Sequence, residues 1–273
     1  SKKLELRTTQ GVMKADAVIL AAGSKAAPGT GSDGSGYKLA GSLGHRVIEP
    51  LPALVQLKCR ETWYKQFAGV RTDAFVTLFC DGHKTASDRG ELQFTDYGIS
   101  GIPVFQVSRF ASRALNEGKK VTVRLDLMPV MDKQELFHFL TERVRRLGYR
   151  PGEEFLNGVL NKKLHQVLLK KSGIPAGRRT SEITEKQLRV LTDRIKALET
   201  TVTGVNSFDQ AQICCGGVDT REINPCTMES KLVSQLFLAG EILDVDGICG
   251  GYNLQWAWSS GILAGRNAGR GPI

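Results

Sequence analysis

Two short stretches late in the 273-residue chain carry residue types that could bind a ligand. The apolar run Leu236–Ala239 is followed directly by Gly240 and Glu241. A carboxylate at the carboxyl end of a buried parallel strand lies where α/β proteins bind ligands, and there it can accept hydrogen bonds from hydroxyl groups. Further on, Gly250-Gly251-Tyr252-Asn253 opens a helical segment that reaches Arg266. Paired glycines let backbone N–H groups approach a flat ring, and a helix N-terminus favours negative charge.

A reduced flavin is one flat group that would suit this arrangement, because it carries negative charge near its N1/O2 edge. The alternative is an ordinary Gly-Gly turn with Trp256 and Trp258 packed in a core, and the residues alone do not decide between them. Tyr252 and Asp246 are the candidates for proton transfer at this edge, with a structural role as the alternative for each.

A glycine-rich loop lies in the first part of the chain. Gly29–Gly34 has the pattern G-x-G-x-x-G, but the preceding strand ends near Ala22, too early for the fingerprint of a dinucleotide-binding turn. A P-loop is excluded because Tyr37 stands where its lysine would be. A flexible turn before a helix and a secondary phosphate loop both stay open.

The elements around this loop follow from hydrophobic patterning. Leu4–Arg7 alternates and Ala15–Leu20 is apolar, which predicts a strand pair whose second member is buried on both faces. A short helix is predicted around Tyr37–Leu43.

The middle of the chain changes period twice. From Val70 to Met128 the period is mostly two, with turns expected at Asp81-Gly82 and Glu117-Gly118, which predicts an antiparallel barrel or sandwich. From Asp132 the period is helical, and three helices are predicted. The first begins at the capping-box pair Asp132 and Glu135, and the second spans about 153–172. The third runs from Thr184, with Gln187 three residues on, to Leu198.

We therefore predict an α/β fold with an insert. One domain is discontinuous, from residues 1–44 and 206–273, and the insert, 45–205, has a β-rich part (45–130) and a three-helix subdomain (131–205). The insert carries 27 Lys and Arg residues against 18 Asp and Glu residues. We interpret these charges as solvated helix faces rather than a nucleic-acid surface, since the basic stretches 143–150 and 162–171 follow a helical apolar period and lack stacking aromatics.

Three segments resemble the HI0933-like, BaiN-type flavoproteins, also called the aminoacetone oxidase family. The similar stretches are ADAVILAAG at 15–23, INPCTMESKL at 223–232 and LFLAGEILDVDGICGGYNLQWAWSSGILAGR at 236–266, with ELQFTDYGISG at 91–101 in the insert. The resemblance implies a Rossmann-like FAD domain, similar to that of glutathione-reductase-type flavoproteins, which an insert interrupts.

The resemblance also assigns residues. Ala21-Ala22-Gly23 matches an Ala-Thr-Gly motif that lies against FAD, with Ala22 in place of the usual threonine. Gly240-Glu241 matches the motif that holds the ribityl chain, and Gly250-Gly251-Tyr252-Asn253-Leu254 matches the helix start that meets the isoalloxazine.

The activity that the resemblance implies is FAD-dependent reduction of a small-molecule substrate, with NAD(P)H as reductant and hydride transfer through flavin N5 to an enone or carbonyl, such as the enones of oxidised bile acids. These flavoproteins open with a strand that leads through a G-x-G-x-x-G turn into a helix, and no such unit precedes Ala15 here. We therefore expect a fragment that binds FAD weakly and is inactive by itself.

The six cysteines have no zinc-like or disulfide-framework spacing, and the sequence shows no signal peptide and no long apolar span. These features predict a cytoplasmic protein with no metal and no membrane partner. A basic insert that binds nucleic acid or a protein partner is the alternative function.

Overall fold

The computed structural model describes residues 3–270, which form two compact units. One contains the described residues up to Leu54 together with those from Asn206 onward, and the other is Val55–Val205. Residues 1–2 and 271–273, at the ends of the predicted discontinuous domain, lie outside the described residues. The interpretation of the units as a cofactor domain and an insert stays a prediction.

Twelve strands and six α-helices lie within residues 3–270. The strands are β1 (Leu4–Thr8), β2 (Gly11–Ala15), β3 (Val18–Leu20), β4 (Val47–Ala53), β5 (Leu57–Cys59), β6 (Arg71–Cys80), β7 (His83–Phe94), β8 (Gly98–Ser100), β9 (Val121–Asp126), β10 (Leu198–Val205), β11 (Ile213–Val218) and β12 (Leu236–Leu238). The α-helices are α1 (Ser35–Ser42), α2 (Ile102–Asn116), α3 (Lys133–Leu147), α4 (Lys162–Lys171), α5 (Glu185–Lys196) and α6 (Tyr252–Ala268). None of the helices in residues 3–270 combines the length and apolar character needed to cross a membrane.

The first unit joins its two stretches through strand pairing. β3 runs parallel to β12, with Val18 opposite Leu236 and Leu20 opposite Leu238, and β4 pairs antiparallel with β11. A hydrophobic cluster that includes Tyr37, Phe237 and Ile242 lies under these strands. The carboxyl ends of β3 and β12 therefore lie side by side.

The predicted opening strand pair is wrong in its second member. The hairpin pairs β1 with β2, and β3 belongs to a different sheet. Asp16 lies between β2 and β3, with its carboxylate 3.3 Å from the Lys3 ammonium, so the chain leaves the hairpin at a charged residue. Nor is β3 buried on both faces, because Ile19 is 41% exposed.

The second unit contains the antiparallel barrel that the period-two segment predicts. Its strands close in the order β10-β5-β8-β7-β6-β9. The β6–β7 turn at Asp81-Gly82 is confirmed, with φ of 49° and 82°, the conformation in which both central residues of a tight hairpin are left-handed.

Helix α2 replaces part of the predicted β region. Several of its residues, such as Val104 and Val107, have strand-forming side chains, but these two and Ala111 lie on one helical face, and the helix packs against β6, β7 and β10. Pro103 fits the first turn, where a missing N–H leaves no hydrogen bond unmade. Glu117-Gly118 therefore ends a helix and is not a strand turn.

The three predicted helices are present with corrected bounds. The second begins at Lys162 and not near 153, because Gly158 adopts a φ of +76° and Asn161 caps the helix with its side chain. The third ends at Lys196, and Leu198 begins β10 instead. A separate three-helix subdomain is not confirmed, since the helices and the barrel share one continuous hydrophobic cluster.

The capping box of α3 gives a testable stability effect. The Asp132 carboxylate accepts hydrogen bonds from the backbone N–H groups of Gln134 and Glu135, at 2.7 and 2.8 Å. We expect Asp132→Ala to lower the free energy of unfolding by about 1 kcal/mol and Asp132→Asn by much less, because an amide oxygen still accepts these bonds. Urea unfolding of both variants measures this, and equal losses would contradict the capping role.

Candidate functional site

The predicted Ala21-Ala22-Gly23 and Gly240-Glu241 motifs lie next to each other. The Ala239 N–H donates to the Leu20 carbonyl at 3.2 Å, which continues the β3–β12 pairing beyond the strands. The Ser24 hydroxyl donates to Glu241 Oε2 at 3.1 Å and also accepts from the Ala26 N–H at 3.2 Å. Ser24 thus fixes the carboxylate relative to the turn that follows β3.

Glu241 is a half-buried carboxylate with one oxygen available. Burial raises its pKa above the ordinary value, and the Ser24 hydrogen bond lowers the pKa by a smaller amount. Within residues 3–270 no hydrogen-bond partner contacts Oε1. This oxygen can therefore accept a hydrogen bond from a ligand hydroxyl.

Two neutral groups surround this carboxylate. The Tyr37 hydroxyl donates to the Glu241 backbone carbonyl at 3.5 Å. Burial raises the pKa of Tyr37 far above its usual range and also raises the pKa of the nearby Cys214 thiol. Sequence reasoning missed Ser24, Tyr37 and Cys214 here; the one available signal was the position of Ser24 directly after Gly23.

The start of α6 provides open backbone donors. Gly251 is its N-cap residue with a φ of 91°, and no side chain caps the first turn. A Cβ placed on Gly251 would meet no atom within 4 Å, so a flat group has room to approach the backbone there. The first-turn N–H groups and the positive end of the helix dipole together favour a ligand edge that carries negative charge.

The predicted side chains at this helix start differ in role. The Asn253 side chain bonds both backbone groups of Gly247, accepting at 2.8 Å and donating at 3.2 Å, so it fixes the preceding loop. The backbone N–H of Asn253 stays available to a ligand, because no side chain caps this turn. Tyr252 and Leu254 are 59% and 58% exposed. Asp246 is half-buried in the loop itself, close in sequence to Gly247.

Helix α6 also packs on the end of β12. Trp256 Nε1 donates to the Gly240 carbonyl at 3.2 Å, and the Ser260 hydroxyl accepts from the Gly240 N–H at 2.9 Å. Contacts one or two turns into the helix thus bring its start near Glu241. The alternative of a core tryptophan pair is wrong, because Trp258 is 62% exposed.

The glycine-rich loop packs against the same motifs. It leads into α1, and a Cβ on Gly36 would lie 2.8 Å from the Ala22 Cβ and 2.9 Å from Ile242 Cδ1. Such distances leave no room for a side chain, so the glycine permits α1 to contact the turn after β3. Within the loop itself, the Ser32 Cβ would lie 3.0 Å from a Cβ placed on Gly23, so the loop also packs against this turn.

Comparison with known proteins identifies a family and several relatives. The family model of the HI0933-like protein Rossmann domain matches residues 1–267. A 3-dehydro-bile acid delta(4,6)-reductase of Clostridium scindens is 47% identical over 94% of this chain and 63% of its own length. Ribosomal RNA dihydrouridine synthases of Haemophilus influenzae and Escherichia coli are 32% and 31% identical over 94% and 89% of the chain, and 61% and 58% of their own lengths.

The chain thus spans about six-tenths of the length of these curated relatives. The fold is mixed α/β, with an antiparallel barrel and with the ends of β3 and β12 side by side. The family model matches nearly all of this chain. The chain belongs to the HI0933-like family and contains its Rossmann domain.

Proposed function

We propose that this chain provides the flavin-binding part of an FAD-dependent oxidoreductase. The observation that carries the proposal is the meeting of two features in one unit: a half-buried carboxylate with an open oxygen at Glu241, and an uncapped helix start at Gly251. Family membership and a relative named as a reductase support it. A function in nucleic-acid binding alone is not favoured by these findings.

The residues present fit FAD at its flavin end. Glu241 would accept a hydrogen bond from the ribityl chain, while Ser24 holds the carboxylate in place. The N–H groups after Gly251 would face the N1/O2 edge, where the helix dipole stabilises the negative charge of the reduced ring. FAD, once bound and reduced, supplies a hydride for transfer to a substrate.

The weak FAD binding and the inactivity of this chain by itself stay predictions.

The names of these relatives indicate reactions at one kind of bond. A 3-dehydro-bile acid with delta(4,6) unsaturation has carbon–carbon double bonds conjugated to a ketone. Dihydrouridine forms from uridine by reduction of a double bond conjugated to a ring carbonyl. We propose the same reaction class here: a hydride and a proton add across the conjugated double bond, and one NAD(P)H is oxidised. Tyr252, at the exposed helix start, is the proposed proton donor.

We favour a small enone as the substrate, because the reductase relative is the more similar in sequence. A uracil base in RNA is the second candidate, and the names of two relatives favour it.

A parallel assay separates the candidates. The chain with excess FAD and either NADH or NADPH is given a 3-oxo-4,6-diene steroid acid or a uridine-containing RNA oligonucleotide. Loss of the diene absorbance with NAD(P)H oxidation supports the first, and dihydrouridine in the digested RNA supports the second. Measurements on a longer chain that carries an ADP-binding segment control for weak FAD binding. No turnover of either substrate by that FAD-loaded protein would contradict the proposal.

The raised pKa of Glu241 predicts how FAD affinity depends on pH. Because burial raises this pKa, the carboxylate takes up a proton at a higher pH than an exposed glutamate does. A protonated Glu241 is a poorer acceptor, so FAD affinity should fall on acidification before ordinary carboxylates titrate. Flavin fluorescence titrations from pH 8 to pH 5 measure this. In Glu241→Gln the affinity should be lower and flat with pH; an unchanged slope would assign the effect to another group.

A further inference from the structure

One segment of the second unit holds most of the net charge. Residues 142–182 contain ten Lys and Arg residues and four Asp and Glu residues, whereas the rest of the chain contains 27 and 24. The exposed basic side chains of the segment are Arg145, Arg146, Arg150, Lys162, Lys163, Lys170, Arg178 and Arg179. Such a concentration of positive charge favours an anionic partner.

Backbone contacts bring the chain at Arg150 next to the chain at Arg178 and Arg179. The Thr180 N–H donates to the Arg150 carbonyl at 2.8 Å, and the Gly152 N–H donates to the Arg178 carbonyl at 2.6 Å. These contacts bring the end of α3 beside the turn that precedes α5. We call Arg150, Arg178 and Arg179, together with Arg145 and Arg146 in the last turn of α3, the arginine cluster.

The carboxylates near the arginine cluster are held only weakly. Glu142 lies 2.9 Å from Arg145, Glu154 lies 3.0 Å from Arg150, and Glu182 lies 3.9 Å from Arg178. Ion pairs exposed in this way contribute about 0–1 kcal/mol each, so a phosphate can replace the carboxylate. Arg146 and Arg179 make no ion pair within residues 3–270.

An exposed aromatic ring lies within the arginine cluster. Tyr149 is 71% exposed, and the Arg150 guanidinium carbon lies 5.7 Å from its ring centroid. The interpretation that this basic stretch lacks a stacking aromatic is therefore wrong. An accessible ring among cations is the combination that proteins use to bind single-stranded nucleic acid, in which bases are free to stack.

We propose that the arginine cluster and Tyr149 bind single-stranded RNA, with phosphates on the arginines and a base stacked on the tyrosine ring. The choice of RNA over other polyanions rests on the second substrate candidate above. The binding itself needs no flavin, so it can be tested apart from FAD.

Fluorescence anisotropy with a labelled single-stranded RNA of about 12 nucleotides tests the electrostatic part, with the full chain and no added flavin. We expect saturable binding at about 50 mM salt that weakens steeply as salt rises. Removing two charges in Arg146→Ala/Arg179→Ala should lower the slope of log affinity against log salt by about 1.4. The matched control is Lys84→Ala/Lys186→Ala, which removes two exposed charges of the same unit outside the segment.

Variants at Tyr149 test the stacking part. Tyr149→Ala should weaken binding about tenfold, whereas Tyr149→Phe should bind like the unaltered chain, because the ring and not the hydroxyl makes the contact. Circular dichroism confirms that each variant is folded.

Several results would overturn the proposal. They are no binding at low salt, equal effects of the arginine and lysine pairs, equal affinity for duplex RNA, and capture by anionic vesicles but not RNA. None of these results bears on flavin binding, which is measured separately, so failure here and failure of the proposed oxidoreductase are distinguishable.

Discussion

Glu241→Ala is expected to weaken FAD binding about 10- to 100-fold, the effect of losing a hydrogen bond to a charged acceptor, which is worth about 1.5–3 kcal/mol. The variant removes the open Oε1 acceptor beside the turn after β3. Isothermal titration with FAD measures the change. Glu5→Ala, which removes an exposed carboxylate in β1 of the same unit, is the control and should leave the affinity unchanged.

A folded Glu241→Ala variant with unaltered affinity would remove this carboxylate from the site. Ser24→Ala gives an independent measurement, because it leaves the carboxylate in place but removes the hydroxyl that orients it. We expect it to have a smaller effect than Glu241→Ala, in the same direction. If Ser24→Ala lowered the FAD affinity more than Glu241→Ala does, the Ser24 hydroxyl itself would contact the ligand.

Gly251→Ala is the second variant with a large expected effect, at least about tenfold in FAD affinity. The added methyl group would project into the space over the start of α6, where no protein atom lies within 4 Å. It would therefore keep a flat ring away from the first-turn N–H groups. The left-handed φ of 91° adds a strain of about 1 kcal/mol, which lowers the melting temperature.

Gly44→Ala separates strain from obstruction. Gly44 lies in the same unit with a φ of 93°, and a Cβ there also meets no atom within 4 Å. The two variants should lose similar stability in thermal unfolding, but only Gly251→Ala should lose FAD affinity. Equal losses of affinity would attribute the effect to strain and contradict the placement of the ring at this helix start.

Local signals in the sequence predict much of this architecture. The capping boxes at Asp132 and Thr184 and the Asp81-Gly82 turn are confirmed, because each depends on residues within a few positions of one another. Helix α2 was missed because Ile102, Val104 and Val107 have strand-forming side chains, and only packing against the barrel selects the helix.

The candidate site also combines residues that the sequence indicates with partners that only the fold brings near them. The resemblance placed Glu241 and Gly251 in a common site, and the structure brings the elements that carry them together through Gly240 and α6. The partners Ser24 and Tyr37 come from a stretch some two hundred residues earlier. Their approach depends on the parallel pairing of β3 and β12, which no local pattern encodes.

Titration of the chain with riboflavin, FAD and ADP tests the central claim most directly. The flavin and ribityl groups of the ligand are placed against the start of α6 and Glu241. Riboflavin should therefore bind, FAD should displace it, and ADP should not compete with it. ADP competition, or the absence of flavin binding up to about 1 mM, would contradict the account.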